Sequence, residues 1–98
     1  MDHGFKFKEG DKVRICDDLI VNRLYDSYGL TDNDPSHPSI YFVDQMSIYM
    51  NKEATIMDQN IYEGCVRYYR LDIDDMNFMW TESMLKPCIR IFNKLLNR

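Results

Sequence analysis

Residues 65–73 read CVRYYRLDI, and their β character decides the fold class. The stretch is dense in β-branched and aromatic side chains, which suit a pleated, half-buried surface. Successive side chains of a strand point to opposite faces. Val66, Tyr68 and Arg70 therefore share one face. Tyr69, Leu71 and Ile73 share the other, the expected core face. Beyond it, DDMN (74–77) reads as a hairpin turn, FMW (78–80) as a short returning strand, and TESML (81–85) as one helical turn. Thr81 is placed to act as the N-cap of that turn.

Working toward the N-terminus, QNIYEG (59–64) reads as a turn with Gly64 as its pivot. NKEATIMD (51–58) reads as a strand, with Ala54 and Ile56 on one face and Glu53, Thr55 and Met57 on the other. Asn51 tolerates the left-handed backbone that a sharp entry into this strand requires. Phe42, Met46 and Tyr49 fall at i, i+4 and i+7, with Val43 beside them, which predicts one or two helical turns. Asp44 lies near their start, where an acid is favourable. FKFKEGDKVRIC (5–16) alternates apolar and basic residues around EGD. A strand is expected from about Lys12 to Cys16, entered through a turn at Gly10.

Between these strands, residues 17–40 read as a long loop anchored by Leu19, Ile20, Val21 and Leu24. Its 31–39 portion is polar and proline-containing, a loop composition. The C-terminal KPCIRIFNKLLNR leaves two readings. CIRIF suits a closing strand, whereas Cys88, Ile91, Phe92 and Leu95 fall at helical spacing. A short closing strand passing into a helix accommodates both.

Ninety-eight residues allow one domain, spanning 1–98. The net charge is −4, yet Lys86, Arg90, Lys94 and Arg98 fall in a tail without acids. The preceding body is accordingly more acidic than the total, which counts against phosphate binding there. Cys16, Cys65 and Cys88 are odd in number and widely spaced, so no disulfide framework is expected and a reducing compartment fits. No apolar run approaches a membrane span, and the N-terminus lacks the pattern of a signal peptide. His3 and His37 lie far apart, and no ligand spacing predicts a metal.

Four segments in fixed order, FKEGDKVRICDDL, KEATIMD, YYRLDIDDMNFMW and WTESMLKP, resemble the small SH3-like barrel proteins of phages, prophages and other bacterial mobile elements. The resemblance covers residues 5–87. It departs at Asn51, where a glycine is expected, in the long acidic loop at 25–39, and in the tail beyond Pro87. It implies a mainly β fold: a small SH3-like barrel of about five strands, with one or two short helical turns and a possible helical tail. It also implies a bacterial host cytoplasm as the setting. It assigns no activity. Similarity to KOW-type barrels is wider still and rests on fold analogy.

No nucleophile elbow, phosphate loop or dinucleotide fingerprint occurs, so an enzyme and a cofactor are not expected. The adjacent acids Asp17 and Asp18 point to alternate faces, and the hairpin acids Asp72, Asp74 and Asp75 read as solvated. Seven tyrosines and one tryptophan are the more informative feature, because aromatic-lined grooves bind peptides. Tyr25, Tyr28, Tyr68 and Trp80 are the candidate protein contacts. Loop packing is the plainer role for Tyr25 and Tyr28, and Tyr68 should face solvent. Trp80 shares a face with Phe78, so strand alternation favours it as a core plug. The alternative is a nucleic-acid binder using Arg67, Arg70, Arg90, Lys94 and Arg98. The expected partner is an unidentified protein, with no membrane, and the chain is a monomer or a homodimer paired through its tail.

Overall fold

The computed structural model describes residues 4–31 and 36–88. The chain is mainly β. Its strands are β1 (Lys12–Ile15), β2 (Arg23–Tyr25), β3 (Ile40–Phe42), β4 (Glu53–Tyr62), β5 (Val66–Leu71), β6 (Trp80–Thr81) and β7 (Leu85–Pro87). Among the described residues, two 3-10 helices, Asp44–Tyr49 and Glu82–Met84, interrupt them. Five strands form one antiparallel sheet in the order β6-β5-β4-β1-β7, and β2 and β3 form a separate hairpin. No closed barrel is seen among the described residues.

The long strand β4 joins the two halves of the large sheet. Its first half pairs with β1, with Val13 opposite Ala54. Its second half pairs with β5, from Asp58 opposite Arg70 to Tyr62 opposite Val66. The register shifts between Ile56 and Asp58, and such a bulge bends a strand and increases its twist. One strand can thereby serve two pairing directions. The last strand returns to the first, with Ile15 opposite Leu85 and Arg14 opposite Lys86.

The core follows the alternation expected for β1, β4 and β5. Val13, Ile15, Ile56, Tyr69 and Leu71 are fully buried, and Phe42, Met46, Trp80 and Met84 pack with them. Each such aliphatic or aromatic side chain contributes about 1.5–3 kcal/mol of burial free energy. Gly10 and Asn51 both have positive φ, at 94° and 66°, as the turns into β1 and β4 demand.

Several expectations need correction. Residues 59–62 are not a turn: Gln59 to Tyr62 extend β4, because each finds a cross-strand partner on β5. The turn is confined to Glu63, Gly64 and Cys65. The long loop contains the β2–β3 hairpin, in which Arg23 lies opposite Phe42 and Tyr25 opposite Ile40. Phe42 therefore belongs to a strand, and the helical segment after it is 3-10, with Met46 its buried residue. Thr81 makes no capping bond, its hydroxyl lying 3.1 Å from that of Ser83. Val66 is buried although it faces away from Tyr69 and Leu71; at this end of β5 the next amide, Arg67 N, donates to the buried Ser27 hydroxyl. The tail begins as strand β7, and Cys88 N donates to Lys12 O. Whether it continues as a helix concerns residues 89–98, outside the described residues, as are Arg90, Lys94 and Arg98.

Candidate functional site

The tip of the β2–β3 excursion is built by one carboxylate. Asp26 Oδ1 accepts the amides of Tyr28 (2.7 Å) and Gly29 (2.9 Å), closing a tight turn. Asp26 Oδ2 lies 2.8 Å from His37 Nε2, within hydrogen-bonding distance of the imidazole. Burial disfavours the Asp26 anion, but these amides and His37 outweigh it and hold its pKa below the ordinary aspartate value. The Asp26 carbonyl in turn accepts the Ser83 hydroxyl at 2.6 Å, tying the tip to the 3-10 turn before β7.

This turn pushes Tyr28 outward, leaving it 83% exposed. One face of its ring lies over the guanidinium of Arg67, 5.2 Å from the ring centroid. Arg67 is fixed from below: its Nε donates to Glu82 Oε1 at 2.8 Å, in a largely buried ion pair. Glu82 Oε2 accepts the Tyr69 hydroxyl at 2.6 Å. Burial, and then this bond to Glu82, push the Tyr69 pKa well above the ordinary tyrosine value. Beside the tip, between the excursion and the β4–β5 turn, lies a shallow cavity of about 330 Å3 lined by Ser36, His37, Pro38, Ser39, Tyr62 and Glu63.

The four candidate aromatics do not form one surface. Tyr25 is 4% exposed, a correction to its place among the contacts. It points inward on β2, and its hydroxyl accepts Ile20 N at 2.9 Å. Trp80 is fully buried and is the core plug: Phe42, Tyr49 and Phe78 surround it at 6.2–6.4 Å. Tyr68 is half-buried on the opposite face of β5 from Arg67, with Arg70 above its ring at 5.9 Å. Tyr28 alone of the four presents an open ring. Arg67 and Arg70 are engaged within the fold, on Glu82 and on the Met76 carbonyl (2.8 Å).

Sequence reading missed three elements of this region. Glu82 looked like part of a helical turn, Asp26 like a loop acid, and His37 like an isolated histidine. The DSYG spacing of an Asx-turn was the one signal that could have marked Asp26. The excursion and its 3-10 helix also carry exposed apolar residues that were not singled out as contacts: Ile20, Leu30, Tyr41 and Ile48, at 41–65% exposure. Asp74 was expected in solvent but is buried.

Among the described residues, no group of three His, Cys, Asp or Glu side chains is arranged to hold a metal ion, and no helix is long and apolar enough to cross a membrane. No protein family, curated protein or solved structure matches this chain.

Proposed function

We propose that this chain is a non-enzymatic protein-binding module that docks on a partner through the tip of its β2–β3 excursion. The observation that carries this reading is Tyr28, an 83% exposed ring seated on an arginine that a buried glutamate holds in place. An aromatic fixed in this way loses little freedom on binding, which is the property of an interface anchor. Exposed Ile20, Leu30 and Tyr41 on the same excursion add apolar area.

The reading includes an SH3-like architecture. Its support is the meander β1-β4-β5-β6, the return of β7 to β1, the long excursion after β1 and the 3-10 turn before the last strand. A phage or mobile-element origin and action in the bacterial cytoplasm rest on the sequence resemblance alone.

The test is capture of partners from bacterial lysate by the tagged protein, with and without nuclease, comparing wild type with Tyr28→Ala. A protein that survives nuclease and is lost with Tyr28→Ala supports the proposal. Partners that vanish with nuclease, or that bind both forms equally, overturn it.

One observation favours the nucleic-acid alternative. Lys12, Arg14 and Lys86 share the outer face of β1 and β7, Arg14 standing opposite Lys86, and the basic tail follows directly. Lys12 donates to Thr55 Oγ1 and Arg14 to the Asn51 carbonyl, both at 2.8 Å on the exposed surface, so in that reading phosphate contact falls mainly to Lys86 and the tail, and binding weakens steeply with salt.

A further inference from the structure

Four consecutive backbone amides near the N-terminus are received by side chains. Lys6 N donates to Glu82 Oε2 (2.7 Å) and Phe7 N to Tyr69 Oη (3.1 Å). Lys8 N donates to Asp11 Oδ2 (3.0 Å) and Glu9 N to Gln59 Oε1 (3.1 Å). Glu82, Tyr69 and Gln59 come from three separate elements: the second 3-10 helix, β5 and β4. Both rings of the segment also meet one residue. Phe5 and Phe7 lie edge-on to Tyr69, at 5.9 and 5.5 Å, and Phe7 is 5% exposed.

A strand in a sheet gives its amides to backbone carbonyls. This segment lies outside both sheets and gives three of the four to a groove of side chains, as a bound extended peptide does, while the fourth, Lys8 N, closes the turn with Asp11. The joint between the segment and the sheet is also well defined. Gly10 has φ +94°, and a side chain there would meet nothing within 4 Å. From Gly10 N, which donates to Ile56 O at 2.8 Å, the chain enters β1 and its ladder. A rotation at Gly10 breaks the Lys8–Asp11 turn, in which Asp11 N also donates to Lys8 O (3.0 Å), but swings the segment out without disturbing a strand pair.

We infer that residues 5–9 are an exchangeable arm, and that the groove they fill is an interface for the same arm of a second copy of this chain. The occupant follows from the groove itself. Its acceptors and the flank of Tyr69 already match the Phe-x-Phe spacing and the amides of this segment, and a second copy carries that segment unchanged. Exchange remakes the bonds to Glu82, Tyr69 and Gln59 on the second copy and gives up the Lys8–Asp11 turn at the hinge, the low-cost route by which identical chains pair. In a single chain the tether gives the arm a high local concentration, so exchange is driven by protein concentration. This inference is separate from partner docking at Tyr28 and goes beyond it.

Cross-linking of full-length chains decides it. In a background of Cys16→Ala, Cys65→Ser and Cys88→Ser, which removes all three native thiols, Glu9→Cys is placed on one copy and Gln59→Cys on another, with a short bis-maleimide as probe. A chain carrying both substitutions, at low concentration, closes on itself and shows that the arm is seated. Mixed at about 1 mM, in the range of a tethered arm's effective concentration, the two single variants should give mixed dimers at least about tenfold above either variant alone. If the double variant closes on itself while the mixture stays at the level of the separate variants, the arm does not exchange. If the double variant fails to close, the arm does not sit in the groove, and the inference falls equally.

Discussion

The indole N–H of Trp80 donates to Asp74 Oδ2 at 3.0 Å, and the same oxygen accepts Phe78 N at 3.0 Å. The loop between β5 and β6 is thus fastened to the central core plug by one buried carboxylate. Asp74→Ala would leave two donors without a partner. A buried unsatisfied donor costs about 1–3 kcal/mol, so a loss of about 2–3 kcal/mol is expected. Asp74→Asn keeps an acceptor oxygen and should lose less. Urea unfolding followed by Trp80 fluorescence measures both, and equal stability of Asp74→Ala and wild type would contradict this role.

Glu82 holds Arg67, Tyr69 and the amide of Lys6 at once. Removing one partner of a buried ion pair costs about 3–5 kcal/mol; the partial exposure of Arg67 places Glu82→Ala near the lower end, at about 3 kcal/mol. Tyr69→Phe removes a hydroxyl that both donates to Glu82 and accepts from Phe7 N, with an expected loss of about 1–2 kcal/mol. A double-mutant cycle should show strong coupling between Glu82 and Tyr69; additive losses would separate them.

The Tyr69 hydroxyl also sets a limit at high pH. Its pKa is raised in the folded state, by burial and by Glu82. Its contribution is therefore fully present below the ordinary tyrosine value of about 10, and is lost as pH rises beyond it and the unfolded chain alone releases the proton. Stability should fall above about pH 10, and Tyr69→Phe should flatten that limb. An identical alkaline profile for the variant would rule this out.

Asp26 acts at the opposite end of the scale. Its pKa is depressed, so its contribution is present above the ordinary aspartate value of about 3.9 and is lost as pH falls through the folded value. Asp26→Asn should reduce the acid-limb slope of stability against pH. His37→Ala should change it less, because the amides of Tyr28 and Gly29 remain and the imidazole is 40% exposed. Acid titration monitored by circular dichroism distinguishes these from an Asp26 that contributes nothing.

Asn51 stands where glycine is expected from the resemblance, at φ 66°. Asn51→Ala should cost about 1 kcal/mol, since a left-handed backbone is unfavourable for a residue with a Cβ and no local side-chain bond. Asn51→Gly should stay within about 0.5 kcal/mol of wild type. Thermal melts of the two variants give the comparison directly, and a neutral alanine would refute it.

Much of the sheet was legible in the chain. Period-two alternation at Val13 and Ile15, at Ala54 and Ile56, and at Tyr69 and Leu71 identified three strands and their buried faces. Asn51 and Gly10 marked their turns through backbone sterics. Trp80 as a plug followed from sharing a face with Phe78. The polar end of β4 was less legible, because Gln59 and Asn60 have weak strand preference and pair through their backbones with Tyr69 and Tyr68. The β2–β3 hairpin was hidden for a similar reason: its two strands are three residues each, and a long polar segment separates them.

The candidate site was legible only as a set of residue types. Alternation on a strand is a local, two-residue property, so the sequence by itself determined the fold class, the core faces of the longer strands and the exclusion of familiar catalytic motifs. Which tyrosine is open, which arginine is neutralised and which acid is buried are long-range facts. Tyr28 meets Arg67, Arg67 meets Glu82, and Glu82 meets Lys6 across a separation of 76 residues. Those pairings exist only once the sheet has brought distant segments together, because charges and hydrogen-bond donors act over a few ångströms of space and not along the chain.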